Sequence, residues 1–493
     1  IPLLLAANTE SGGNGLAFEG TSFGQPMAVS ASRNPEYAYR MGYTACAEGA
    51  AMGLNWSFAP IVDINMDFHN PITNVRTFGS DPKQVLCCAS AYLRGAKENH
   101  VAVAIKHFPG DGVDERDQHI VTSVNSLDAE QWDKTYGYVY RNLIDQGAQT
   151  VMVGHIALPC YASKEERFLP ASLSKSLLTG LLREKLGFNG LISTDATPMV
   201  GFTAAMPRSK AIPTAIAAGA DMILFNKDLD EDYRFLLDGI DSGIVTLQRL
   251  DEAVTRILAT KAALGLHRKK ELVPRAEALD IVGCKQHRRW ARETADKAIT
   301  LVKDTQNLLP LSPDKTPRVY LNVIQKDTDP DSPMVCAWKA LFEREGFQVT
   351  VRDRRVTVTV QDMGDLAAMT PEKKALMHEM YRSVEEARKS MDLYVYICNM
   401  ENASNNTTLR LNWNVTFGLG DDAPWFVSEI PALMISTAYP YHLFDAPMLK
   451  TYINAYSGNK YYREAVMEKL MGRSPFLGES PVDPFCGRED TKC

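Results

Sequence analysis

From residue 1 to about residue 266, short apolar runs alternate with longer stretches of helical period, and no other feature restricts the fold of this chain as strongly. Repeats of that kind build βα units around a parallel sheet, because each crossover helix returns the chain to the same end of the sheet. Strands are expected over 2–7, 56–64, 101–107, 150–156, 190–194 and 221–225, and helices over 36–52, 82–99, 128–145, 175–186, 209–218 and 247–264. Helix starts carry residues that satisfy free backbone N–H groups: Ser80-Asp81-Pro82 opens one helix, and Ser126 precedes Asp128 and Glu130 in another. Nearly every strand ends in a polar or small residue and then an irregular, Gly/Pro-rich loop, as at 106–112 and 195–198. In a barrel of parallel strands, that end carries the chemistry.

A charged, uneven stretch at 267–282 interrupts the pattern, and a second alternation follows, with strands expected over 318–324, 348–354, 392–400 and 432–436. The expected organisation is a barrel domain over 1–266, a linker and connecting helix over 267–297, and a smaller α/β domain over 298–493. The last stretch, 474–493, reads as a surface tail because it is rich in Pro, Gly and charge. A formal charge of −7 and the lack of any Lys/Arg-rich run exclude the concentrated positive charge on which nucleic-acid and membrane-surface binding depend. No apolar stretch reaches the roughly 20 residues that a helical bilayer span needs. The nine cysteines have no metal-like spacing, so neither a metal nor a cofactor is expected. Cys46, Cys160, Cys336 and Cys398 sit in apolar contexts, and the adjacent Cys87 and Cys88 read as packing residues. A reducing, cytoplasmic location is expected on that basis.

The loop after the third strand, KHFPGDGVDERDQH at 106–119, gathers a lysine, two histidines and four acidic residues into fourteen positions. A polar loop can simply be solvated, but functional groups also collect on loops anchored by strands. The Pro109-Gly110 turn and Gly112 point to a loop that moves. In GFNGLISTDATPM at 187–199, Asp195 directly follows an apolar strand and precedes a turn containing Pro198, which presents a carboxylate at the barrel mouth. The competing reading is a turn or helix-capping aspartate.

KHFPGDG with Asp117-Gln118-His119, NVRTFGSDP at 74–82 and GFNGLISTDATPM occur in the order and spacing of glycoside hydrolase family 3, and the chain resembles its β-N-acetylglucosaminidase branch. AITLVKDTQNLLPL at 298–311 also resembles the opening of that family's second domain, so the resemblance spans most of the chain. It implies a TIM-type (β/α) barrel followed by an αβα sandwich. It implies Asp195 as nucleophile, His119 as acid/base and Asp117 as its dyad partner, with Lys106, His107, Arg76, Asp63, His155 and Met199 around the nonreducing sugar. The implied partner is a carbohydrate ending in β-linked N-acetylhexosamine, and a homodimer stays open. Each role is chemically sound: a carboxylate can form a covalent glycosyl-enzyme, and a histidine needs a neighbouring carboxylate to hold the proton that it delivers.

The chain also departs from the family pattern. The family's first barrel strand and helix do not precede the segment at 2–7. Where the second strand usually ends in a sugar-binding aspartate, Asn8 stands here, with Glu10 as a substitute. The N-x-S/T patterns at 402–416 are discounted as glycosylation sites, and Arg410 and Asn412 of the second domain are weighed as aglycone contacts. Three other readings remain: a β-N-acetylglucosaminide phosphorylase, a broad β-glucosidase, and a sugar-binding protein without catalysis, which the presence of Asp117, His119 and Asp195 argues against.

Overall fold

The computed structural model describes residues 2–268, 276–400, 410–411, 413, 415–416, 419–420 and 422–493. The chain divides into one compact unit up to Thr294 and a second from Ala295 onward.

In the first unit, six strands form one parallel sheet in chain order: β1 (Ala6–Ala7), β2 (Trp56–Ser57), β3 (Ala102–Phe108), β4 (Thr150–Val153), β5 (Leu191–Ala196) and β6 (Met222–Leu224). The register runs from Ala6 beside Trp56, through Trp56 beside Ala102 and Ala104 beside Thr150, to Thr150 beside Leu191. A parallel strand covered on both faces reads as a continuous apolar run, and every residue of β3 is buried. Trp56, Phe58, Ala102, Ala104, Met152 and Leu191 fill the interior, with Leu4, Met222, Leu224, Ile257 and Leu264 packed against them. These six strands belong to the (β/α) half of a TIM-type architecture, with β1 and β6 as the edges of the described sheet.

Helices α1 (Pro35–Ala51) and α2 (Pro82–Lys97) start on side-chain caps: Asn34 accepts from Glu36 N–H, and Asp81, in the start expected from the sequence, accepts from Lys83 N–H. Their backbones nearly touch. A Cβ on Gly42 would lie 2.4 Å from the Tyr92 carbonyl oxygen, and one on Gly95 would lie 2.4 Å from that of Tyr39. The expected helix at 128–145 is two helices, Ala129–Lys134 and Tyr136–Asp145, parted where Thr135 leaves helical angles. An unforeseen helix, Leu229–Asp241, starts on Asp228 with Asp230, Glu231 and Asp232 in its first turn.

The second unit is built on a six-stranded sheet of order β9-β8-β10-β11-β12-β7, from β7 (Thr300–Asp304), β8 (Arg318–Ile324), β9 (Gln348–Val351), β10 (Leu393–Cys398), β11 (Ala432–Ser436) and β12 (Thr451–Asn454). All pairs are parallel except β12 with β7. The stretch after residue 474 is docked, not a free tail. Gly478 N–H donates to Ile299 O, Lys303 Nζ donates to Thr491 O, and Val482 and Thr491 are buried.

None of the nine cysteines is in a disulfide. Cys46, Cys88 and Cys398 are buried, whereas Cys87 and Cys336 are exposed. Cys87 and Cys88 are about 100° apart around the helix, so only one can face the core. Among the described residues, no helix is long and apolar enough to cross a membrane.

Candidate active site

The ends of β1, β2, β3, β4 and β5 bring the sequence's candidate residues together as three linked groups. The first is a charge network. Glu10, just past β1, receives Arg76 Nη2 at 2.8 Å and Nε at 3.0 Å and faces Lys106 Nζ at 2.7 Å. Lys106 Nζ also donates to Asn8 Oδ1 at 3.0 Å. Burial works against the Glu10 charge, but the Arg76 and Lys106 cations outweigh it and hold the carboxyl far below the usual carboxylate range. Glu10 thus gathers both cations. It holds Arg76, which keeps 29% of its side-chain surface exposed, as a bidentate donor at the mouth.

The second group surrounds Asp195, the penultimate residue of β5. Its Oδ2 lies 3.9 Å from His107 Nε2, and its Oδ1 accepts the Ala196 N–H at 2.7 Å. Burial opposes ionisation here, while His107, the Ala196 N–H and Lys106 favour it, so the carboxyl is held below its usual range. Asp195 is therefore held as the carboxylate. Met199 is buried one turn later, at the start of the helix Val200–Thr203.

The third group is the dyad. Asp117 Oδ1 accepts the His119 backbone N–H at 2.8 Å and lies 2.7 Å from His119 Nδ1. Asp117 is fully buried, while His119 keeps 35% of its side-chain surface exposed. The carboxylate on Nδ1 fixes the tautomer and leaves Nε2 to carry the transferable proton. The His119 carbonyl accepts Val200 N–H at 2.9 Å, which ties the dyad to the segment following Asp195.

Two residues expected around the sugar have other work. Asp63 is fully buried, and its oxygens are occupied by His107 N–H (3.1 Å), His107 Nδ1 (2.7 Å) and Asp111 N–H (2.8 Å), so it orients His107. His155 is also fully buried, with Nε2 3.0 Å from Ala196 O and Nδ1 2.8 Å from Ser172 Oγ. Every side-chain nitrogen and oxygen of these two residues already has a hydrogen-bond partner within the protein.

The loop also differs from its expected mobility. Tyr136 OH donates to Asp111 O at 2.6 Å, Asn125 Nδ2 to Gly110 O at 3.0 Å, and Asn70 Nδ2 to both Asp111 Oδ1 and Asp114 O at 2.9 and 2.7 Å. Polar ties from distant residues replace the apolar anchors that the loop lacks. Burial and the adjacent Asp63 carboxylate push Asp111 up to about 6. Asp111 and Gln118 are absent from the candidates drawn from sequence, although both lie inside the loop singled out there. Arg410 pairs with Asp445 at 2.6 Å within the second unit, and Asn412 lies outside the described residues.

The Glycosyl hydrolase family 3 N terminal domain matches residues 1–260, more than half of the chain. The chain belongs to this family. A relative from Cellulomonas fimi, named beta-N-acetylglucosaminidase/beta-glucosidase, is 40% identical over 497 residues, covering 100% of this chain and 85% of the relative. The solved structure of beta-glucoside phosphorylase BglX is similar at 44% identity with a TM-score of 0.90, covering 100% of this chain and 86% of that one. A family 3 beta-N-acetylglucosaminidase structure from Paenibacillus sp. str. FPU-7 shares the fold, with a TM-score of 0.79 at 24% identity over 99% of this chain and 88% of that one. This family 3 chain is a glycoside hydrolase by its family, with a barrel-type first domain and a second sheet domain.

Proposed function

We propose that this family 3 enzyme is a retaining exo-glycosidase that removes terminal β-linked N-acetylglucosamine, with Asp195 as nucleophile and the His119–Asp117 pair as acid/base. The observation that carries this reading is the Asp117 carboxylate on His119 Nδ1 at 2.7 Å, with the His119 carbonyl tied to Val200 in the segment that follows the ionised Asp195. In the first step, a carboxylate oxygen of Asp195 attacks the anomeric carbon. The bond to the leaving oxygen breaks as His119 Nε2–H protonates that oxygen, leaving a glycosyl ester and a neutral imidazole. In the second step, neutral Nε2 takes a proton from water, whose oxygen attacks the anomeric carbon and expels the Asp195 carboxylate. Two inversions retain the anomer. Arg76, Lys106 and Asn8 supply polar groups for the sugar hydroxyls, with Glu10 fixing the two cations, and the pairing of His107 with Asp63 supports the ionised nucleophile.

A second reading, phosphorolysis, is favoured by the 44% identity to a structure named as a β-glucoside phosphorylase. Phosphate would replace water in the second step, and an imidazole does not repel a phosphate dianion as a carboxylate acid/base would. The test measures turnover of nitrophenyl β-N-acetylglucosaminide and β-glucoside with and without millimolar phosphate. Free N-acetylglucosamine at a phosphate-independent rate supports hydrolysis. Sugar 1-phosphate, formed faster as phosphate rises, supports the second reading, and no turnover of either substrate overturns both.

A further inference from the structure

Gln118 stands between the two members of the dyad, has no exposed surface, and uses both ends of its amide. Its Oε1 accepts the backbone N–H of His155 at 2.9 Å, and its Nε2 donates to Asp111 Oδ2 at 3.0 Å. The amide cannot be turned over, because the His155 backbone N–H is only a donor and would meet the NH₂ group. His155 carries the connection onward. Burial lowers its pKa, against the pull of Asp195, and so favours a neutral ring at neutral pH. The Ala196 carbonyl can only accept, so Nε2 bears the ring proton and donates to it at 3.0 Å, while Ser172 Oγ–H donates to Nδ1. A continuous buried path therefore runs from Asp63 through Asp111 and Gln118 to His155 and then to the residue after Asp195.

We propose that Gln118 is a positioning residue that sets the His119 imidazole relative to the Asp195 carboxylate, with His155 as the other half of the same clamp. The proposal rests on the reading of His119 as acid/base. Close packing makes the clamp stiff: a Cβ on Gly154 would lie 3.0 Å from Gln118 Oε1, and one on Gly201 would lie 2.4 Å from the Gln118 carbonyl oxygen. His119 is the next residue, so any shift of Gln118 moves the imidazole directly. A proton donor misplaced by about 1 Å loses on the order of 10²-fold in rate.

The test compares wild type, Gln118→Met, Gln118→Glu and His119→Ala on two β-glycosides of the same sugar, one with a nitrophenyl and one with an alkyl leaving group. Only the alkyl oxygen needs a proton in the transition state. Gln118→Met keeps the length but makes neither hydrogen bond. It is expected to lose on the order of 10²-fold in kcat on the alkyl glycoside and only a few-fold on the nitrophenyl glycoside, following the discrimination of His119→Ala. The groups facing position 118 are Asp111, with Asp63 and His107 behind it, and His155. Asp111 itself is raised to about 6, so near pH 5 the two facing carboxyls still hold a proton through which one donates to the other, whereas near pH 8 both are ionised and repel. Relative to wild type at each pH, Gln118→Glu should therefore resemble wild type near pH 5 and Gln118→Met near pH 8. This variant also carries the test if Gln118→Met fails to fold. Equal losses of Gln118→Met on both substrates, or a Gln118→Glu whose ratio to wild type does not change with pH, would overturn the proposal. If Gln118→Met is undiminished while His119→Ala discriminates, Gln118 alone loses its role. If His119→Ala does not discriminate, the acid/base reading fails and the clamp with it.

Discussion

Replacing Glu10 with Gln tests whether the charge network at the end of β1 holds in place the two cations, Arg76 and Lys106, that we propose bind the sugar. The carboxylate faces three N–H donors, two from Arg76 and one from Lys106, at 2.7 to 3.0 Å. Lys106 is 2% exposed, so it has almost no water to replace a lost partner. Glutamine keeps the shape but removes the charge and turns one acceptor into an NH₂ group facing another donor. Removing one partner of a buried ion pair costs roughly 3–5 kcal/mol, and the part-exposed Arg76 argues for the lower end, about 3 kcal/mol. The pH dependence follows from the lowered Glu10 pKa. The carboxylate contributes its stability above the unfolded value, about 4.3, and loses it as pH falls through the lower folded value. Urea unfolding of wild type and Glu10→Gln should therefore give a gap that is constant between about pH 7 and pH 5 and narrows steadily below about pH 4. The variant should also lose kcat/KM as Arg76 and Lys106 drift from their fixed positions. A gap under about 0.5 kcal/mol at neutral pH, or one that does not narrow in acid, would refute the reasoning.

His119→Ala is expected to slow unactivated glycosides by about 10² to 10⁴-fold and nitrophenyl glycosides far less, with Asp117→Asn acting in the same direction but more weakly; steady-state kinetics on a leaving-group series checks both, and equal losses would point to a binding or structural histidine. Gly110→Ala should destabilise the first unit, because the backbone there has φ of 121° and the new Cβ would fall 2.1 Å from the ring of buried Tyr136; an unchanged melting temperature would contradict this. His155→Ala should reduce kcat more than it raises KM, since the ring holds the Ala196 carbonyl and no polar atom of it is free for sugar; a pure KM effect would return His155 to sugar binding.

Much of the first unit is legible in the sequence because buried parallel strands are uninterrupted apolar runs, as in 101–105 before β3 turns into its polar loop. The helix Leu229–Asp241 is not, since the acidic residues of its first turn obscure its apolar spacing and Leu229 and Tyr233 remain exposed. In the site, residue types at strand ends reveal which groups collect at the mouth, and Asn8, Glu10, Arg76, Lys106, His107 and Asp195 do collect there. What each group binds depends on partners far along the chain. Asp63 turns toward His107 and Asp111, His155 toward Ser172 and Ala196, and the loop at 110–119 is held by Asn70, Asn125 and Tyr136. No local spacing encodes such pairings, which is why the glycines of that loop read as mobility.

The most direct test of the account is a covalent trap: incubate the enzyme with an activated 2-deoxy-2-fluoro glycoside, which forms the ester faster than it is released, and locate the added mass by peptide mapping. The account predicts one sugar per chain, on the peptide containing Asp195, and no label on Asp195→Asn. A label on another carboxylate, or full turnover of chromogenic substrate by Asp195→Asn, would contradict it.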